Sequence, residues 1–149
     1  DRIEGVRMAA FIHDLGKISV PAEILCKPTL LRKAELELLR DHPRAGYDIL
    51  KDIAFPWPIA RIVLEHHEKL DGSGYPNGIS GEDILLESRV VTVADVVESM
   101  ASHRPYRPSK GLDAALAEIG ENTGTSYDGA VVAACLRLFR ERGFRLGEL

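Results

Sequence analysis

The sequence predicts an all-α protein, a compact bundle of about six to seven helices in one domain. Three observations predict it. Apolar residues recur at steps of three and four along most of the chain. No stretch alternates with the period of two that a half-buried strand requires. Proline falls at the ends of the periodic stretches or between them. With 149 residues, 45% apolar and 28% charged, the chain can bury one sizeable core.

In chain order, residues 6–15 read as a helix with Met8, Phe11, Ile12 and Leu15 on its buried side and Gly16 placed to end it. His13 and Asp14 fall in its last turn, and Lys17 lies just beyond. A connection through Pro21 and Pro28 leads to a second helix at 33–41, stopped at His42-Pro43 because a residue before proline disfavours the α region. A third runs over about 44–52. Phe55-Pro56-Trp57-Pro58 is a rigid corner, and Pro58 suits the first turn of the next helix. That helix carries Ile59, Ile62, Val63, His66, His67 and Leu70 on one stripe, so both imidazoles are expected to point inward. A glycine-rich loop follows, through Asp71-Gly72-Ser73-Gly74-Tyr75-Pro76 to Gly81. The helix at 87–102 is apolar almost all round and is expected in the core. It nevertheless carries Ser88, Thr92, Asp95, Ser99 and Ser102 as one polar stripe. Amphipathic helices at 112–121 and 128–142 complete the bundle.

Composition excludes several functions. A net charge of −4 argues against general affinity for a nucleic-acid polymer. No apolar run approaches a membrane span, so no membrane contact is expected. Cys26 and Cys135, without a CxxC, are expected to be reduced, buried residues of a cytoplasmic protein. The chain opens at Asp1 directly in helical pattern and is expected to be cut from a longer protein.

The chemistry-bearing residues are His13, Asp14, His42, His66, His67 and Asp95. A single inward histidine is more often a hydrogen-bonded core residue than a ligand. Two in a row, followed by glycines that let backbone crowd a site, reverse that preference. Asp95, buried among small hydroxyl residues, needs a cation opposite it: either a buried arginine such as Arg89 or Arg104, or a metal. Imidazole with carboxylate suits iron, manganese or zinc. Six ligands exceed the needs of one catalytic ion and suit two, about 3.5–4 Å apart, acting on phosphorus. Lys17, Arg104 and Arg107 are the cations placed to hold phosphate oxygens, with solvated surface as their alternative.

His13-Asp14-Leu15-Gly16-Lys17 resembles the HDxGK signature of HD-domain phosphohydrolases. His42-xxx-Gly46, HHExxDGSGYP at 66–76, RVVTVAD ending at Asp95 and RPYR at 104–107 resemble the HD-GYP subfamily in particular. The resemblance covers nearly the whole chain. It implies a helical bundle that hydrolyses the bacterial second messenger cyclic di-GMP to pGpG and onward to GMP. It implies two divalent metals, iron or manganese, held by His13, Asp14, His42, His66, His67 and Asp95, with Asp14 bridging. It implies substrate contacts from Lys17, Arg104 and Arg107, with Gly74 and Tyr75 shaping the site, and docking of a GGDEF-domain partner; a homodimer is a further expectation. The family's first helix, which supplies another histidine upstream, has no counterpart in residues 1–149, and a sensory or regulatory domain is expected before it. Two other functions stay open: a non-catalytic module that binds cyclic di-GMP or a GGDEF domain, and an HD hydrolase acting on another nucleotide.

Overall fold

The structure is a computed structural model that describes residues 1–102 and 109–147. Among these, eight α-helical segments follow one another: α1 (Arg2–Ile12), α2 (Ala22–Leu25), α3 (Lys33–Arg40), α4 (His42–Leu50), α5 (Ile59–Glu65), α6 (Leu86–Ala101), α7 (Leu112–Glu121) and α8 (Gly129–Arg140). The segment α2 is a single turn, which leaves seven longer helices, and no strand occurs among the described residues. The predicted all-α bundle is therefore the fold observed. A 3₁₀ stretch, Leu15–Ser19, links α1 to α2.

Helix α6 joins two apolar clusters. Val91 belongs to one, with Ala9, Leu50, Ile59, Ile62 and Val63. Val93 and Val97 belong to the other, with Ala115, Leu116, Ile119, Tyr127 and Val132. The candidate metal ligands lie where α1, α4, α5 and α6 converge.

Local expectations fail in instructive places. The buried face of α1 is Gly5 and Ala9, while Phe11 is 77% exposed and Met8 and Leu15 are exposed as well. Small residues face inward because Trp57 packs directly on this helix: a Cβ on Gly5 would lie 2.7 Å from Trp57 Cγ. A close helix approach selects for small side chains, which a search for large apolar residues overlooks. Helix α6 is not buried all round; Ala94 and Leu86 are exposed, beside a groove shared with α8. Helix α4 begins at His42, not at residue 44, with Pro43 in its first turn. Cys26 is exposed and Cys135 half-buried, so neither is the fully buried thiol expected.

Candidate metal centre

Backbone packing comes first. The 3₁₀ stretch after Asp14 crosses α4 so closely that a Cβ on Gly16 would lie 1.8 Å from the His42 carbonyl oxygen and 2.5 Å from Gly46 N. A Cβ on Gly46 would meet Val63 Cγ1 at 2.9 Å and Gly16 N at 3.4 Å. These two glycines let three backbone segments, bearing Asp14, His42 and His66, approach one another. His66 itself caps the C-terminus of α5 rather than continuing its stripe, and His67 follows in the turn.

Three of the histidines are oriented in the same way. The Nδ1 atoms of His13, His42 and His66 lie 2.7, 2.7 and 2.6 Å from the carbonyl oxygens of Ala10, Leu39 and Val63, each three residues earlier. A carbonyl only accepts, so each Nδ1 carries a proton, and when such a ring is neutral its Nε2 turns a lone pair the other way. Those lone pairs converge. His42 Nε2 is 3.3 Å from His66 Nε2 and 3.3 Å from Asp14 Oδ1. His13 Nε2 is 3.6 Å from Asp14 Oδ2 and 3.5 Å from Asp95 Oδ1. The His67 ring centroid lies 4.1 Å from that of His66 and 5.1 Å from that of His42.

Acceptors that face acceptors repel unless a cation sits among them. Two nitrogens bound to one ion at about 2.0–2.1 Å, at angles from a right angle to tetrahedral, are about 2.9–3.4 Å apart. The His42–His66 separation falls in that range. Two groups of donors meet the spacing of a metal site, His42–His66–His67 and His13–Asp14–His66, and they share the fully buried His66. The donor set fits a divalent metal.

Protonation favours the same arrangement. Burial pushes the His66 imidazole down to about 4, against its bond to Val63. Burial, with His66 beside it, lowers His67 too. Burial alone would raise Asp14, but the surrounding His42 and His13 rings and the Lys17 ammonium bonded to it outweigh that and hold the carboxyl well below the usual range. Asp95 is likewise lowered, its burial outweighed by the His13, His67 and His66 imidazoles around it. At neutral pH the carboxylates are charged and His66 and His67 are uncharged, which is the state that binds metal.

The surrounding groups fix the histidine-bearing backbone. The polar stripe of α6 faces the end of α5: Thr92 Oγ1 donates to the His66 carbonyl at 2.8 Å and Ser88 Oγ to Glu65 Oε2 at 2.8 Å. Glu65, 3% exposed, also accepts from Leu85 N and from Arg61 Nε. Sequence reasoning passed over Glu65; its place immediately before the paired histidines was the available signal. Glu68 Oε1 accepts from Asn77 N at 2.8 Å and so ties down the glycine-rich loop. The Cα of Gly74 packs on the backbone of residues 67–69, where a Cβ would approach within 2.5 Å. Gly74 thus has a packing role that seats the loop. The Tyr75 ring stacks on His67, with centroids 4.7 Å apart and planes at 26°.

Lys17 Nζ lies 2.5 Å from Asp14 Oδ2, beside the centre as expected. The arginine alternative for Asp95 fails at Arg89, whose guanidinium pairs with Asp128 at 3.0 Å. Arg104 and Arg107 lie outside the described residues.

The HD-domain family model matches residues 2–131. The chain belongs to the HD-domain family. This HD domain is 43% identical over 139 residues to a cyclic di-GMP phosphodiesterase response regulator of Xanthomonas campestris, covering 92% of the chain and 37% of that relative. It is 41% identical over 134 residues to a 3′3′-cGAMP-specific phosphodiesterase of Vibrio cholerae, covering 90% of the chain and 29% of the relative. The chain therefore spans little more than a third of these curated relatives at most. The crystal structure of a cyclic GMP-AMP-specific phosphodiesterase from V. cholerae superposes with a TM-score of 0.65 at 16% identity, over 92% of this chain and 38% of that one, and shares the fold. None of the helices among the described residues is long and apolar enough to cross a membrane.

Proposed function

We propose that this HD domain is a metal-dependent phosphodiesterase that hydrolyses cyclic di-GMP to pGpG and onward to GMP. One observation carries the reading: bare imidazole nitrogens and ionised carboxylates from four helical segments converge within ligand distance, with Lys17 beside them. The similarity to a cyclic di-GMP phosphodiesterase supports the substrate class.

Two ions, iron or manganese, suit the donors. His42, His66 and His67 would hold one, and His13 with Asp95 the other. Asp14 would serve both, a role supported by Oδ1 facing His42 and Oδ2 facing His13. When bound, such ions supply Lewis acidity and neutralise charge that develops at phosphorus. Lys17, held against Asp14, extends an ammonium toward a non-bridging phosphate oxygen, where charge grows in the transition state. Tyr75 is a hydrogen-bond donor at neutral pH, and burial, which pushes its hydroxyl up to about 12, extends that state well into the alkaline range. Arg104 and Arg107 complete the phosphate contacts in this proposal, and GGDEF-domain docking belongs to the longer protein.

The test compares two variants, with metal content measured alongside cyclic di-GMP breakdown under anaerobic iron and under manganese. Asp14→Ala is expected to lose metal and turnover together. Lys17→Ala is expected to retain metal and lose turnover or substrate affinity. Full activity in Asp14→Ala, or no turnover in the unsubstituted protein with either metal, refutes the reading. The V. cholerae relative favours a second substrate, 3′3′-cGAMP, which the same assay ranks directly.

A further inference from the structure

Arg40 ends α3, two residues before His42, and its guanidinium carbon lies 5.3 Å from the centroid of the Tyr75 ring. That ring is already stacked on His67. A second group over a stacked ring has only the other face to occupy, so His67, Tyr75 and Arg40 form three successive layers. The Tyr75 faces are thereby filled, and the ring has no face left on which a nucleobase could stack.

Arg40 is exposed, and among the described residues no carboxylate lies within ion-pair distance of it. Among the described residues, two other cations beside the centre have side-chain partners, Lys17 on Asp14 and Arg44 on Asn77. A guanidinium stacked on an aromatic face is fixed in orientation while its in-plane N–H donors stay unspent. That is a prepared bidentate site for an anion. The Tyr75 ring lies between it and the candidate ligand His67, which sets it apart from a phosphate held at the centre. A cyclic dinucleotide carries a second phosphodiester across its ring from the first.

We propose that Arg40 is a specificity-determining residue that takes the second, uncleaved phosphate of a cyclic dinucleotide while the first lies at the histidine–aspartate centre. This rests on the phosphodiesterase reading above. It makes Arg40, oriented by Tyr75, the group that prefers a two-phosphate ring over a simple diester.

The experiment uses Arg40→Ala and Arg40→Lys in the manganese-loaded protein. It measures KM and kcat for cyclic di-GMP, metal content, and inhibition by linear GpG, which has both guanines but one phosphate. Arg40→Ala is expected to raise KM for cyclic di-GMP about tenfold, the loss that goes with one charge-assisted contact. Metal content, kcat and the inhibition constant of GpG are expected to stay unchanged, and Arg40→Lys to recover part of the loss. Unchanged KM in Arg40→Ala overturns the proposal. A parallel loss of GpG affinity also overturns it, since Arg40 would then contact a guanine. Loss of metal or of kcat overturns it in favour of a merely structural stack. An unsubstituted protein that neither binds nor cleaves cyclic di-GMP overturns the phosphodiesterase reading itself, and the Arg40 assignment with it; the other outcomes leave that reading intact.

Discussion

The Gly16→Ala substitution tests the packing on which the metal centre depends. The added Cβ would lie 1.8 Å from the His42 carbonyl oxygen, where ordinary contact begins at 3.4 Å. The 3₁₀ stretch and α4 must therefore separate by about 1.6 Å, and neither partner is a side chain that could swing aside. Overpacking of a core costs about 1–3 kcal/mol when side chains can adjust, and a backbone clash belongs at or above the upper end. The reduced freedom of alanine in the unfolded chain returns about 0.4–1 kcal/mol. A net loss of about 2–3 kcal/mol lowers the unfolding midpoint by roughly 4–12 °C in a chain of this size. The same displacement moves Asp14 away from His42, so metal binding falls as well. Gly120→Ala is the matched control. Gly120 lies in α7, where an added Cβ meets nothing within 4 Å, so this change is expected to stabilise by about 0.5 kcal/mol. Thermal unfolding with and without manganese, plus metal analysis, reads all of these effects. A Gly16→Ala protein that unfolds at the original temperature and holds the original metal would refute the close crossing of these two backbones.

Metal removal should be visible in stability. Converging acceptors without a cation repel, so a chelator is expected to lower the midpoint. Metal at a hundred times its Kd stabilises by about 2.7 kcal/mol, roughly 5–11 °C here; a midpoint indifferent to chelator counts against the centre. A pH prediction concerns Asp128, which caps α8 and pairs with Arg89. Burial would raise its carboxyl, but bonds from Val131 N, Arg89 and Ala130 N outweigh that and lower it from the ordinary 3.8. A folded value below the unfolded one contributes stability that is complete above the unfolded value and is lost as pH falls through the folded one. Asp128→Asn keeps a capping side chain and removes the charge. The stability gap between the two proteins, from urea midpoints, is expected to be widest near neutrality and to close below about pH 4. A gap that is constant with pH contradicts the assignment.

Much of the centre was legible because its ligands come in short local motifs. His13-Asp14, His66-His67 and Asp95 on its polar stripe announced themselves by residue type at helical spacing, and the structure brings them together with His42. The supporting groups were less legible. Glu65 reads as an ordinary helical glutamate until Ser88 and Leu85, more than twenty residues away, are seen to bond to it. Arg40 reads as a solvated charge until Tyr75 arrives beneath it from the far side of the chain. The inner face of α1 was misjudged for the same reason: the partner that requires Gly5 is Trp57.

By itself, the order of residues determined which segments coil into helices and which side chains carry the nitrogen and oxygen donors, since both follow from neighbours within a turn or two. Tertiary structure alone decided which lone pairs face one another. Ring direction is local, set by a carbonyl three residues earlier, but the separations depend on the close crossings that Gly16 and Gly46 allow. Those are contacts between distant parts of the chain, and local spacing has no term for them.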